Sequence, residues 1–389
     1  MPDNLPPEAL YYTRTDGEGR MRSVTAGYAA LCQTAAEDLI GAPHHVTHGP
    51  GMPRGILKLL NQHAMAGQPF AGYFPNLGDV WLFAVVTPVP GGFAAVRFVP
   101  QGRLLAQVAP FYERVVARAG DDDLAIRAGL RAMGFDSYDA FMTYALSHEV
   151  RARSRLLGQR STPGLRRLRA LYDLTRSLET QAKALEDVFR GTEQIPYNMR
   201  LQARRLQGSD SAFSVISDNH RQMSAGVGAT LRTFQNNAVL GADGVARAAF
   251  EVAAAGLVRE MHGLLAHEAP VLCSHPDEDR QLLADLADRY VADANTSVQG
   301  LARGARGLSV QCKDMRRVAA GLEMTRIMCV IERSRSSGDA EGLDEIVSRL
   351  MQAEEALRAA LSDIERDVQR IGHLSETLLR LNTSAVQAA

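Results

Sequence analysis

A turn flanked by two apolar repeats constrains the fold of this 389-residue chain more than any other feature. Residues 207–211 read Gln-Gly-Ser-Asp-Ser, which is turn chemistry. On both sides, apolar residues recur at the three- and four-residue steps of a heptad. The ingoing seam contains Leu171, Leu178, Leu185, Met199 and Leu206, and the outgoing seam contains Phe213, Ile216, His220, Met223, Val227 and Phe234. The pattern predicts an antiparallel helical hairpin with its tip near 207–211, kinked at Pro196 in the ingoing arm.

A second heptad predicts a long helix at the end of the chain, from Leu343 to about residue 387. Its seam residues are seven apart: Leu343, Leu350, Leu357, Ile364, Ile371 and Leu378. At the rise of an α-helix this segment is roughly 65 Å long. A helix of that length with one apolar seam must pack on a partner, either within the chain or across a dimer. We therefore expect a homodimer or a larger assembly.

The first hundred residues have a strand-rich pattern instead. Residues 11–24 read as two strands around an Asp-Gly turn, short helical patterns follow, and three more strand-like runs lie within 70–99. The expected fold class is α+β, a five-stranded antiparallel sheet with short helices followed by an all-α region. The predicted divisions are a disordered N-terminus at 1–10, an α/β domain at 11–103, connecting helices at 104–160, the helical hairpin at 161–240, and a C-terminal helical bundle or coiled coil at 241–389.

Composition limits the class of function. The net charge of −1 gives no overall field that favours nucleic acid. The most apolar window, residues 80–99, is interrupted by proline and glycine, so no membrane span is expected. Four cysteines without paired spacing are typical of a reducing cytosol, and a cytoplasmic protein is expected. No phosphate-binding loop or catalytic motif is present in the sequence, so we do not expect an enzyme.

Several residues around the turn carry a family resemblance. They are Asn198, Ala203, Arg205, Phe213, Val215 and Arg221. The stretch resembles the hairpin tip of methyl-accepting chemotaxis receptors, although glutamates of that family are replaced by Gln202, Gly208 and Asn219. The resemblance implies binding to a chemotaxis coupling protein and a histidine kinase. Asn198, Arg205 and Phe213 are the predicted partner-binding residues, because arginine forks and aromatic anchors are common at interfaces.

The N-terminal domain carries a second resemblance. The matching segments are Gly41-Ala42-Pro43-His44, Val46-Thr47-His48, Met52-Pro53, Gly67-Gln68-Pro69-Phe70, Asn76, Gly78-Asp79-Val80-Trp81 and Thr87-Pro88-Val89. They resemble a PAS domain of the aerotaxis-receptor type, which implies FAD and redox sensing. His48 and Asn76 match cofactor-pocket positions, and Trp81 is expected to support the cofactor from the sheet. This chain departs from the family at three of its positions. Thr47 stands where the family has a loop arginine, and Asn61 and Phe70 stand where it has two tryptophans.

Other interpretations remain open at this point. The loop histidines His44, His45 and His48 could ligate haem, which is less favoured than flavin. His262, His267, Cys273, His275 and Asp277 have some metal-ligand character, although helix-end roles explain them better. Glu354-Glu355 is either a modification site or a solvated heptad flank. The favoured function is a soluble sensor that signals to a chemotaxis-type partner, and the alternative is a helical scaffold whose PAS domain serves only dimerisation.

Overall fold

The computed structural model describes residues 5–387 except 78–79, 118–121, 159–162, 193, 206–211, 268–271, 274–275 and 336–340. The chain divides into two compact units. The first unit contains residues 1–166 and 246–295, and the second contains 167–245 and 296–388. This grouping differs from the predicted divisions, because residues 246–295 join the N-terminal residues and not the C-terminal helices.

An antiparallel sheet forms the centre of the first unit. Its strands are β1 (Leu10–Asp16), β2 (Met21–Val24), β3 (Phe70–Pro75), β4 (Trp81–Val89) and β5 (Gly92–Phe98), paired in the order β3-β4-β5-β1-β2. The five-stranded sheet and the α+β class are thus confirmed. A sixth strand, β6 (Leu272–Cys273), pairs with β2. It was not predicted, since two residues carry no periodic signal, and it covers the backbone groups of an otherwise open edge.

Short helices connect β2 to β3, as the sequence predicts. They are α1 (Ala26–Leu31), α2 (Ala36–Leu39), a 3₁₀ turn (His44–Thr47) and α3 (Arg54–Met65). Helices α1 and α2 are separate. Gln33 adopts a positive φ of 52° directly after α1. That left-handed conformation ends α1, and the second helix, α2, begins at Ala36.

Three helices follow the sheet in the first unit. They are α4 (Leu105–Val116), α5 (Asp122–Ala132) and α6 (Tyr138–Leu156). Gly134 takes a φ of 86°, and the Ser137 side chain accepts a hydrogen bond from the Ala140 N–H at 3.1 Å. These two features end the chain segment after α5 and cap the start of α6.

The two faces of the sheet pack against different elements, because successive side chains of a strand point to opposite faces. We call the face that meets α1 and α2 the inner face; its residues include Tyr11, Leu82, Phe74 and Arg97. The outer face carries Tyr73, Phe83 and Phe98, and it packs on α4 and α6. The core of the first unit lies mainly on this outer face, where large aromatic side chains are fully buried.

The second unit is built from parts of five helices. They are α7 (Pro163–Thr192), α8 (Ile195–Arg205), α9 (Ala212–His267), α10 (Pro276–Arg335) and α11 (Glu341–Gln387). Gln235 of α9 donates to Glu186 of α7 at 2.8 Å, and Arg200 of α8 pairs with Asp218 of α9. As the residue number rises from α7 to α8, the number of the paired residue in α9 falls. The described residues therefore form the antiparallel hairpin that the sequence predicts.

The heptad seams are buried within a single chain. Buried seam residues of the ingoing arm are Leu171, Leu178, Leu185 and Met199, and those of α11 are Leu350, Leu357, Ile364, Ile371 and Leu378. Ser177 of α7 donates to Asp367 of α11 at 3.0 Å, and Arg326 of α10 donates to Glu354 of α11 at 2.9 Å. Because the seams are covered by helices of the same chain, they do not require a second copy. The expectation of a dimer was based on the need of these seams for a partner.

Two helix boundaries differ from the sequence interpretation. The hairpin was expected to end at residue 240, but α9 continues to His267. Ala238, Ala242 and Val245 are buried along this stretch, and packing outweighs the weak helix propensity of Gly241. The ingoing arm is divided between α7 and α8, and Pro196 lies in the first turn of α8, where a missing N–H is tolerated.

None of the helices in the described part of the chain is both long and apolar enough to cross a membrane.

Candidate functional site

The structure brings His48 and Asn76 together at the rim of the inner face. They form an antiparallel bridge, and the neighbouring Gly49 N–H donates to the Pro75 carbonyl at 2.8 Å. A Cβ at Gly49 would lie 3.0 Å from the Asn76 carbonyl oxygen, so a glycine suits this close approach. The loop after the 3₁₀ turn is thereby tied to the end of β3.

A group of buried polar side chains surrounds this bridge. Asn76 Nδ2 donates to Cys32 Sγ at 3.5 Å, Tyr28 Oη donates to Thr47 Oγ1 at 2.9 Å, and Thr47 Oγ1 donates to the His44 carbonyl at 2.8 Å. We define the inner-face cluster as Tyr28, Cys32, Thr47, His48, Asn76 and Arg97. The cluster is polar in a position where the neighbouring residues of the sheet are apolar.

Arg97 on β5 is the charged member of the cluster. Its side chain points to the inner face, where Nη1 donates to Thr13 Oγ1 at 2.7 Å and the guanidinium carbon lies 4.8 Å from the centre of the Tyr28 ring. Arg97 is only 7% exposed. Among the described residues, no carboxylate lies within ion-pair distance of it.

His48 is held in the neutral form. Burial, followed by the nearby charges of His44, Arg97 and His45, lowers its pKa to about 3. Its ring lies 5.4 Å from that of His44 and 5.5 Å from that of Phe74. Its Nδ1 is buried, and no hydrogen-bond partner for it is found in the part of the chain that the structure describes. The site therefore contains a neutral imidazole with an unused polar atom.

Burial also keeps the remaining titratable groups of the cluster uncharged. It raises the pKa of the Cys32 thiol and of the Tyr28 hydroxyl, although Arg97 opposes both changes. His44, next to the cluster, has its pKa lowered by burial. The arrangement is a buried cation surrounded by neutral groups, several of which can donate hydrogen bonds.

Trp81 does not join His48 and Asn76. It pairs with Pro75 at the start of β4, and alternation places it on the outer face, where its ring lies 5.7 Å from that of Tyr112 in α4. Leu82, the next residue, faces the inner side. Trp81 thus packs between the sheet and α4, and it cannot support a ring bound at the inner-face cluster.

The described residues do not form the flavin pocket that the PAS resemblance implies. Trp81 faces away, and Thr47, which stands in place of the family's loop arginine, is occupied by hydrogen bonds to Tyr28 and His44. Within the described part of the chain, no group of three or more His, Cys, Asp or Glu side chains converges to hold a metal ion. The side chain of His267 and all of His275, two members of the possible metal group, lie outside the described residues.

The predicted partner-binding residues are only partly described. Asn198 lies on α8 and is half-buried beside Met199, which packs in an apolar cluster with Ile216 and Leu350. Arg205 ends α8 and Phe213 lies in the first turn of α9, but their side chains fall outside the described residues. The tip itself, at 206–211, also lies outside them. The helices leading to the tip expose Tyr197, Leu201 and Val215.

The two glutamates of α11 occupy different environments. Glu354 is buried and accepts hydrogen bonds from Arg326 at 2.9 Å and Arg358 at 3.0 Å. Glu355 is exposed. Because its carboxylate is buried and paired with Arg326 of α10, we interpret Glu354 as a structural contact between α10 and α11.

Sequence reasoning missed Tyr28, Cys32 and Arg97 as members of the site. A signal for Arg97 exists in the strand Gly92–Phe98, where it occupies the same alternating set as Phe93 and Ala95. A charged residue in an apolar strand can be assigned to the inward face only once the pairing register of the strand is known. Cys32 carries no such signal, because a single buried cysteine is most often a small core residue.

The chain matches no protein-family model and shows no significant similarity to any curated protein. The class of protein must therefore be inferred from the fold and the inner-face cluster.

Proposed function

We propose that this protein is a cytoplasmic sensor whose PAS-like N-terminal domain responds to a small ligand and whose helical hairpin transmits the response to a protein partner. The observation that carries the proposal is the inner-face cluster. A domain that served only to dimerise would gain nothing from a buried cation and an unpaired imidazole nitrogen, since unsatisfied buried polar groups cost about 1–3 kcal/mol each. Such groups collect at functional sites.

The order of elements supports the same proposal. Two strands, short helices and three strands follow one another as in the PAS domains that this region resembles. The inner-face cluster lies between those helices and the sheet, where the resemblance places a ligand pocket. Flavin is not part of the proposal, because Trp81 and Thr47 are unsuited to it.

Contacts on the outer face supply a connection from the sheet to the following helices. Trp81 of β4 packs on Tyr112 of α4. The carboxylate of Glu149 in α6 accepts hydrogen bonds at 2.7 Å from Tyr73 Oη and from the backbone N–H groups of Gln101 and Gly102, just before α4 begins. A change in the sheet would therefore reach α4 and α6 through direct contacts.

The output assigned to the hairpin rests on its resemblance to chemoreceptor tips. We propose that Asn198, Arg205 and Phe213 contact a chemotaxis coupling protein or its histidine kinase. A two-state packing change in the helical arms would then alter partner binding. Gln202 and Asn219 stand where the family has glutamates. The absence of these negative charges weakens any contact to a basic partner surface.

A pull-down from native cytosol tests this output. Wild type and Arg205→Ala are compared, with Arg303→Ala on the exposed face of α10 as the matched control. Arg205→Ala should reduce recovery of coupling protein and kinase in proportion to a roughly thirtyfold loss of affinity, or about 2 kcal/mol, and Arg303→Ala should not. Equal recovery with all three proteins would contradict the proposal. Recovery of neither component would favour the helical scaffold.

A further inference from the structure

We propose that the inner face binds a small anionic ligand through a carboxylate or phosphate group, and that Arg97 supplies the positive charge that holds it. This inference deepens the proposed sensor function and rests on it for the role of the site, but binding itself can be measured separately.

The first argument is the uncompensated charge. Arg97 is 7% exposed, and a buried ion is strongly disfavoured unless it is paired. Of its five N–H donors, one is used by Thr13 Oγ1. The Tyr28 ring stabilises the cation through its π face, but it does not neutralise the positive charge. Within the described residues, no carboxylate takes that role.

The second argument is the chemistry of every element around Arg97. On β1 its neighbour is Thr13, and α1 contributes Tyr28 and Cys32. The loop with the 3₁₀ turn contributes His44, His45 and His48. Burial lowers the pKa of His44 and His48, and Arg97 lowers both in the same direction, as a nearby positive charge does. The described groups facing the cation are neutral or basic. Such a surface attracts an oxyanion and repels a metal ion or an organic cation.

The third argument concerns hydrogen bonding. A carboxylate or phosphate needs several donors besides the guanidinium, and bidentate arginine contacts suit both. His48 Nδ1 is buried and without a partner among the described residues, so either its neutral N–H or its protonated form can donate to an oxyanion. The Asn76 amide donates to Cys32 Sγ at 3.5 Å, and sulfur is a weak acceptor that an anion oxygen would replace favourably.

The size of the ligand is limited by packing. Tyr11, Phe74 and Leu82 are buried on the same face and already fill much of it. We therefore expect a small carboxylic acid or a phosphate monoester and not a dinucleotide. This is also why the inference differs from the flavin that the PAS resemblance implies.

Binding is tested on the full chain by isothermal titration calorimetry and thermal unfolding, with sodium phosphate and sodium malate as separate probes. Sodium chloride at the same ionic strength corrects for general salt effects. Wild type should bind at least one probe, and the probe that binds identifies phosphate or carboxylate as the recognised group. Arg97→Gln should weaken binding at least tenfold, whereas Arg22→Gln, an exposed change on β2, should leave it unchanged.

Two results overturn the inference. One is binding of neither probe to wild type beyond the chloride response, and the other is equal binding by wild type and Arg97→Gln. If Arg97→Gln fails to fold, the wild type alone remains informative through NMR titration of His48. Anion binding should raise the pKa of His48 by about one unit or more, because a nearby negative charge favours the protonated ring. An unchanged His48 titration would count against the site. Loss of the anion site together with an intact Arg205-dependent pull-down would reject this inference and leave the proposed output standing.

Discussion

Glu149 is the residue on which the junction between the sheet and α4 depends most. It is fully buried and accepts three hydrogen bonds, from Tyr73 Oη and two backbone N–H groups. Burial, and then Glu149 itself, raise the pKa of Tyr73, so the tyrosine stays protonated as a donor. The carboxylate thus fixes the chain between β5 and α4 to the middle of α6.

Replacing Glu149 should strongly destabilise the first unit. Glu149→Ala leaves three buried donors without an acceptor, and we expect a loss of about 3–5 kcal/mol in the free energy of unfolding. Urea denaturation followed by circular dichroism measures it. The control is Glu355→Ala on the exposed side of α11, expected within about 0.5 kcal/mol of wild type. A loss below 1 kcal/mol for Glu149→Ala would contradict the assigned role.

His48 should make the protein less stable as the pH falls. Its folded pKa of about 3 lies below the ordinary histidine value of 6.5, so between these values the unfolded chain binds more protons. Stability therefore rises with pH in this window and is lost as pH falls below about 6.5. Between pH 7 and pH 5, the wild type should lose about 2 kcal/mol more than His48→Phe.

The control for this pH dependence is His373→Gln, an exposed histidine of α11. Its stability profile should follow that of the wild type. Unfolding in urea at several pH values gives the three profiles. Parallel profiles for wild type and His48→Phe would show that His48 is solvated and not buried.

At this scale, sequence reasoning named two residues that the structure brings together and missed others beside them. His48 and Asn76 were selected by resemblance, and the structure does bring them together. Trp81 was assigned to the same pocket, but only the strand register shows that it faces the other side. Arg97 was not predicted as a site residue, because its role depends on Thr13 and Tyr28. Both are distant from it in sequence and contact it only after the sheet has formed.

Among the elements, the helices of the hairpin are held by their apolar seams. Leu178 of α7 is 1% exposed, whereas Leu201 of α8 is 53% exposed. Leu178→Ala should therefore cost about 2–5 kcal/mol through lost burial and a residual cavity. Leu201→Ala is the matched control, and its effect should stay below about 1 kcal/mol. Hydrogen exchange of the second unit measures both, and similar losses from the two substitutions would show that the seam is misassigned.

Periodic elements were predictable and their boundaries less so. The long helices α10 and α11 and the strands of the main sheet follow from strong local patterns. The continuity of α9 through Gly241 does not, because buried neighbours on other helices stabilise it there. The strand β6 is equally hidden from local sequence, since its partner β2 is about 250 residues away.

For the whole molecule, burial of the seams within one chain changes the expectation about assembly. Substitutions such as Leu178→Ala should leave the molar mass in solution unchanged, because the seam packs on helices of the same chain. Multi-angle light scattering at micromolar concentration measures this mass. A fall in mass on substitution would show that the seam joins two copies, and a compact monomer for the wild type would rule out the predicted homodimer.

The central claim is that the inner-face cluster of the first unit controls the helical hairpin of the second. Hydrogen–deuterium exchange of wild type, Asn76→Ala and Arg22→Ala tests it most directly, since neither a ligand nor a partner need be known. Asn76→Ala removes the contact to Cys32 within the cluster, and Arg22→Ala changes an exposed side chain of the same domain. We predict altered exchange in α8 and in residues 212–245 for Asn76→Ala alone. Changes confined to residues 1–166 and 246–295 would contradict the account.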